Sequence, residues 1–217
     1  MRVLVIAAHP DDETLGVGGT ILKHKSQGDE VFVCMVTKAY EPEWSKEYMQ
    51  KKLEEAPEVD RILGVDRRIY CNLPTVKLNM IPHGEFNKAI EDVIEQVNPD
   101  VIYTHSEHDL HQDHVLIFTA IMIATRPKPK NSKRIKLLCF ETISSTEWNN
   151  RTFTPNVYVD ITDFIEKKIE AFLKYESEVR EYPHPRSEEG VRVLAKKRGI
   201  EACVEYAEAF VLIRDFW

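Results

Sequence analysis

Ala8-His9-Pro10-Asp11-Asp12-Glu13 places an imidazole beside three successive carboxylates. Like charges this close resist joint ionisation unless a cation or hydrogen-bond donors stand nearby. A bound divalent metal is the simplest remedy. The alternative is a helix N-terminus, where Asp and Glu in the first turn are favourable. A second polar stretch, residues 105–114 (HSEHDLHQDH), holds four of the eight histidines, more than a solvated loop needs.

Zinc sites that hydrolyse bonds usually take three protein ligands from His and carboxylate and keep one position for water. His9 and Asp12, three residues apart, can reach one ion from a single turn. A histidine of the second stretch completes the set, with His114, beside the following helix, preferred. Asp11 then lies next to the metal without being spent on it, free to take a proton from water. His111, three residues before His114, can face the same cavity and stabilise an oxyanion. Asp113 can hold the His111 imidazole and favour its protonated form. Zn2+ suits these donors, and another divalent transition metal fits them too.

Strands and helices must bring the two stretches together. Residues 1–7 read as a buried strand ended by Pro10. Further strands are predicted over 31–37, 68–72, 101–104, 135–141, 157–161 and 209–213. Helices are predicted over 15–28, 43–63, 85–97, 115–125, 162–178 and 188–197. Pro57 should kink or split the second of these, and Gly64 should cap it. Thr162 or Asp163 is the expected N-cap of the fifth. The alternation predicts an α/β domain with a mainly parallel sheet and helices on both faces. No repeat or linker divides the chain, so one domain over 1–217 is expected. In such a sheet ligands bind at the carboxyl ends of the strands, and both polar stretches fall on that edge.

The 217 residues, 43% hydrophobic and 30% charged, describe an ordinary globular chain. A formal charge of −7 argues against a nucleic-acid partner. No apolar run approaches the roughly 18–20 residues a membrane span needs. Without a signal-peptide pattern, a cytoplasmic location is expected. Cys34, Cys71, Cys139 and Cys203 lie far apart and read as free thiols. Arg186 and His184, in a proline-framed crossing, either line a pocket or lie solvated. Trp148 either stacks on a ring of the ligand or pins its loop. His105 and His108 read as polar loop groups or supports behind the site, and His24 and His83 as surface residues. Lys128, Lys130, Lys133, Arg134 and Lys136 form a basic run, read as a solvated connector or an anion site.

The AHPDDE stretch after an N-terminal strand, paired with His111-Gln112-Asp113-His114 after a later one, resembles the PIG-L/LmbE-like family of zinc-dependent N-deacetylases. Similarity continues through residues 144–148, 183–187 and 207–210. The resemblance implies a Rossmann-like three-layer α/β/α sandwich that hydrolyses the acetamide of an N-acetylglucosamine-type sugar or sugar conjugate. It implies His9, Asp12 and His114 as metal ligands, Asp11 as general base and His111 as oxyanion stabiliser. It is also compatible with a homo-oligomer. Two positions depart from the family pattern. Lys52 stands where many members carry arginine, and Thr75 where an aspartate often follows the Leu-Pro turn. The competing readings are an amidase that cleaves a larger sugar-linked amide, and a nucleotide-binding regulatory module. The latter needs a phosphate-cradling turn, whereas the first strand here ends in carboxylates.

Overall fold

Continuous apolar runs become strands buried on both faces of a seven-stranded sheet. The computed structural model describes residues 1–127 and 133–216. Its strands are β1 (Arg2–Ala7), β2 (Glu30–Lys38), β3 (Arg67–Pro74), β4 (Val101–His105), β5 (Lys136–Phe140), β6 (Val157–Asp160) and β7 (Ala207–Arg214). Their spatial order is β3-β2-β1-β4-β5-β7-β6. The first five are mutually parallel, and β7 runs antiparallel to both β5 and β6.

The helices are α1 (Asp12–Ser26), α2 (Lys46–Leu63), α3 (His83–Val97), α4 (Gln112–Ala124), α5 (Ile165–Leu173) and α6 (Glu188–Ala202). Val17 and Ile21 of α1, Val59 and Leu63 of α2 and Ala171 of α5 pack on one face of the sheet. Phe86, Ile90 and Val97 of α3 and Ile117 and Ile121 of α4 pack on the other. Helix α6 closes the β7 end, where Val191 and Ala195 meet Ile165 and Phe172 of α5. This is the three-layer α/β/α, Rossmann-like architecture expected. Strand order reverses between β1 and β4, so the loops after them flank the crevice where such sheets bind ligands.

Several boundaries differ from the sequence expectation for identifiable reasons. Helix α2 runs through Pro57 without splitting. The missing N–H leaves the Leu53 carbonyl without its helical donor, but both residues are exposed and water can serve it. Gly64 caps it in the left-handed conformation at φ 74°. Helix α5 is shorter than predicted, because residues 162–164 form a separate 3-10 turn. Thr162 caps nothing; its N–H and hydroxyl both donate to Asp160. Beyond Leu173 the chain leaves the helix and turns Tyr175 and Glu178 toward the sheet edge. His24, expected on the surface, is largely covered between Asp29 and the Tyr103 hydroxyl, at 2.7 and 3.0 Å. Of the basic run, Lys133 pairs with Asp100 and Lys136 with Asp215, while Lys128 and Lys130 lie outside the described residues.

Strand β7 also grips α1. Glu208 accepts hydrogen bonds from the Gly19 and Thr20 N–H groups at 2.8 and 2.7 Å and from Lys168 at 2.6 Å. Lys168 in turn donates to the Leu15 carbonyl at 2.8 Å. The glycines of α1 serve this close packing: a Cβ on Gly16 would lie 2.2 Å from the Phe140 ring. Gly16→Ala is therefore expected to destabilise the fold by about 1–3 kcal/mol. Gly84→Ala, with nothing within 4 Å of the new methyl, should stabilise it by about 0.4–1 kcal/mol. Urea unfolding of both variants checks the pair.

Candidate metal and catalytic centre

The three carboxylates after β1 have three different tasks. Asp11 precedes α1 at φ 131°, a region L residues rarely adopt, and its side chain makes no capping bond. Its carboxylate lies instead 3.3 Å from Arg186 Nη1. Asp12 accepts from the His9 N–H at 2.7 Å and faces the imidazoles. Glu13, fully buried, accepts from Arg68 at 2.8 Å and from the Tyr175 hydroxyl at 2.5 Å, tying α1 to β3 and the segment after α5. The helix terminus accounts for one contact, the Asp11 N–H donated to Glu13 at 3.2 Å, and not for the others.

His9 Nδ1, Asp12 Oδ2 and His114 Nε2 form a triangle with sides of 3.3, 3.4 and 3.5 Å. Ligands about 2.1 Å from a tetrahedral ion lie roughly 3.4 Å apart, so these atoms match one face of such a site. The far side of each ring faces a carboxylate. His9 Nε2 meets Asp113 Oδ2 at 3.1 Å, and His114 Nδ1 lies 3.2 Å from Asp109 Oδ1. Each carboxylate favours a proton on the ring nitrogen it faces and leaves the other lone pair turned inward.

Two further imidazoles adjoin, and donor atoms of both fall in clusters spanning 4.8 Å with His114. His105 Nε2 accepts the Ala8 N–H at 2.9 Å, which uses its lone pair, and Nδ1 faces the Thr142 hydroxyl at 3.2 Å. Its ring stacks on His114 with centroids 3.7 Å apart, so it buttresses that ring from behind. His111 Nδ1 accepts the Asp113 N–H at 3.2 Å, which puts the proton of the neutral ring on Nε2. The set with lone pairs to offer is His9, Asp12 and His114.

Electrostatics point the same way. Burial pulls His9 down, but hydrogen bonds to Asp113 and Asp12 and their charges push it up to about 10. Burial likewise opposes the charged form of His114, yet Asp12 and Asp109 push it up to about 9. The cluster therefore attracts positive charge, as a cation site must. His111 behaves oppositely: burial first, then the neighbouring His9 and His114, hold it down to about 4. The expected pairing of Asp113 with a protonated His111 is thus corrected. The Asp113 carboxylate faces His9, the Thr75 hydroxyl and the Val76 N–H, not the His111 ring.

A cleft of about 460 Å³ opens over the triangle, lined by Asp11, Asp12, His9, His111 and His114 and by Lys52, Arg68, Glu178 and Arg186. Burial, then the charges of Asp12 and Glu178, push the Asp11 carboxyl well up, against the pull of Arg186 and His9. From Asp11 a chain of charges runs through Arg186 to Glu178 at 2.9 Å and on to Lys52 at 3.0 Å. Tyr48 donates to the same Glu178 at 2.9 Å. The structure thus brings Lys52 and Arg186 to the cleft but not the other two expected contacts. Trp148 is exposed and meets His184 edge to face with ring centroids 6.2 Å apart, and neither lines the cleft. His108 is a loop group 3.3 Å from Arg151.

Asp109 and Glu178 escaped the sequence reading. Asp109 could have been found as a carboxylate within the same histidine-rich stretch. It also accepts from Ser145, from Thr146 at 2.7 Å and from the His111 N–H at 2.8 Å. Glu178 carries no local signal, because its partners Tyr48 and Lys52 are more than a hundred residues away.

The model of one family, described as PIG-L: GlcNAc-PI de-N-acetylase, matches residues 4–125. The chain belongs to the PIG-L family. Among its curated PIG-L relatives, the diacetylchitobiose deacetylase of Thermococcus kodakarensis is 30% identical over 220 residues, covering 95% of this chain and 81% of that protein. The solved N,N'-diacetylchitobiose deacetylase of Pyrococcus horikoshii superposes with a TM-score of 0.78 at 25% identity, over 97% of this chain and 83% of that one. The 4-carboxy-2-hydroxymuconate hydratase of Pseudomonas putida KT2440 superposes at 0.75 with 22% identity, over 100% of this chain and 98% of that one. At that identity the likeness shows a shared fold alone. If the triangle holds a divalent ion, replacing Asp109 by Asn is expected to weaken its binding by about 10–100-fold, measured by competition with a chromophoric chelator.

Proposed function

We propose that this PIG-L chain, acting as one domain, is a metal-dependent hydrolase. It removes the acetyl group from an N-acetylglucosamine-type sugar or sugar conjugate. The observation that carries this reading is the triangle of His9 Nδ1, Asp12 Oδ2 and His114 Nε2, facing a cleft that also holds Asp11 and His111. Two nitrogens and a carboxylate oxygen at this spacing suit Zn2+, with His9, Asp12 and His114 as its ligands. The deacetylase names of the relatives support the same reaction. No helix among the described residues is long and apolar enough to cross a membrane, and a cytoplasmic location is part of this proposal.

When bound, a divalent ion at this site supplies Lewis acidity to the scissile carbonyl and acidifies water. The chain's own groups do the rest. Asp11, not engaged in capping, takes a proton from the attacking water and passes it to the departing amine nitrogen. Arg186 holds the Asp11 carboxylate in place. His111 donates its Nε2–H to the carbonyl oxygen as that oxygen gains charge, a contact typically worth about 3–4 kcal/mol in the transition state. Asp113 and Asp109 keep His9 and His114 oriented.

Acetate release from N-acetylglucosamine derivatives, with and without chelator, tests the reading. Chelation should abolish release and added Zn2+ should restore it. Asp11→Asn should lower kcat by about 10²–10⁴-fold with metal content unchanged; loss of the metal instead would make Asp11 a ligand.

A further inference from the structure

The cleft reaches well past the triangle. It begins at Thr142 and Ile143 after β5, passes the histidines beyond β1 and β4, and ends at Tyr70 of β3 and the inner face of α2. Strand β3 lies two positions from β1 in the sheet, about 10 Å away at ordinary strand spacing. Its far wall is apolar: Trp44, Tyr48, Met49, Leu53 and Tyr70. Met49 and Leu53, four residues apart, share one face of α2, and Tyr48 lines the cleft beside them. Leu53 is 55% exposed and Tyr70 44%. Single exposed apolar side chains need no explanation, but adjoining ones on a concave wall mark a binding surface.

Between triangle and wall stands the charged chain Asp11–Arg186–Glu178–Lys52. Two of its donors are incompletely used. Arg186 Nε is buried without a hydrogen bond, and Lys52 Nζ meets its carboxylates without hydrogen-bond geometry. An alkyl chain laid across this strip would offer Arg186 Nε no acceptor, at a cost, and would add no hydrogen bond to the two ion pairs of Lys52. A pyranose ring would offer them hydroxyl acceptors. The order along the cleft is then acyl group at the triangle, sugar at the charged strip and an apolar group at the wall.

Building on the deacetylase reading, we propose that the substrate is an N-acetyl amino sugar with an apolar alkyl or aryl aglycone. Leu53, Met49 and Tyr70 recognise that aglycone and determine specificity.

The test measures acetate release by the metal-loaded protein from the methyl, hexyl and phenyl glycosides of N-acetylglucosamine. Diacetylchitobiose and the N-hexanoyl analogue of the methyl glycoside complete the series. The hexyl and phenyl compounds should exceed the methyl one in kcat/KM by about tenfold or more, chiefly through KM. Leu53→Ser combined with Met49→Ser should bring that ratio close to one. Equal rates for all aglycones would overturn the proposal. So would a preference for the N-hexanoyl compound, which puts the acyl chain on the wall, or for diacetylchitobiose, which puts a second sugar there. Calorimetric binding of the hexyl and methyl glycosides separates this inference from the activity beneath it. Tighter hexyl binding without acetate release would retain the wall and refute the deacetylase, and equal binding would refute the wall.

Discussion

Two imidazoles from loops 105 residues apart are held with their free nitrogens 3.3 Å from each other, and a carboxylate stands behind each ring. Four aspartates surround the pair, a setting that favours positive charge between the rings. The partners of those aspartates draw the neighbouring loops into the same balance. Asp113 reaches Thr75 and Val76 as well as His9, so the loop after β3 is drawn into the same balance. Asp109 collects Ser145 and Thr146, which does the same for the loop after β5. The centre thereby organises four sheet-edge loops around one point.

The layers of the fold were legible because buried parallel strands are written as unbroken apolar runs, as in residues 3–6 and 31–36. The Gly64 stop of α2 was legible too, since glycine adopts a left-handed cap without the steric cost that Asn98 and Cys203 bear at the ends of α3 and α6. That His9, Asp12 and His114 would converge was readable from their chemistry and spacing. What could not be read was the partner of each group. Asp113 lies nearer His111 in sequence, yet its carboxylate turns to His9, because helical geometry sends a side chain away from its own N-cap neighbour. Glu178 meets Lys52 and Arg186 only through the tertiary fold. The antiparallel insertion of β7 leaves no local trace, since one strand's pattern does not encode its direction.

The chain divides the labour unevenly. Residues 4–125, the stretch the PIG-L model matches, contain the whole triangle and the residues flanking it. The later part contributes Glu178 and Arg186 and the Thr142–Ser145 edge of the cleft. The first part therefore holds the ion-attracting centre and the second trims the space around it. A hydratase with the same fold fits that division, because a shared frame leaves chemistry to the groups placed on it.

The crossed order of the last two strands has a bearing on biosynthesis. Among the described strands β6 touches only β7, although 46 residues separate Asp160 from Ala207. As the nascent polypeptide emerges, residues 157–160 must wait, unzipped, until their later neighbour arrives and slots between them and β5. The ribosome thus delivers the edge of the sheet before the rung that fastens it, and the interval is one during which a chaperone has a strand to shield.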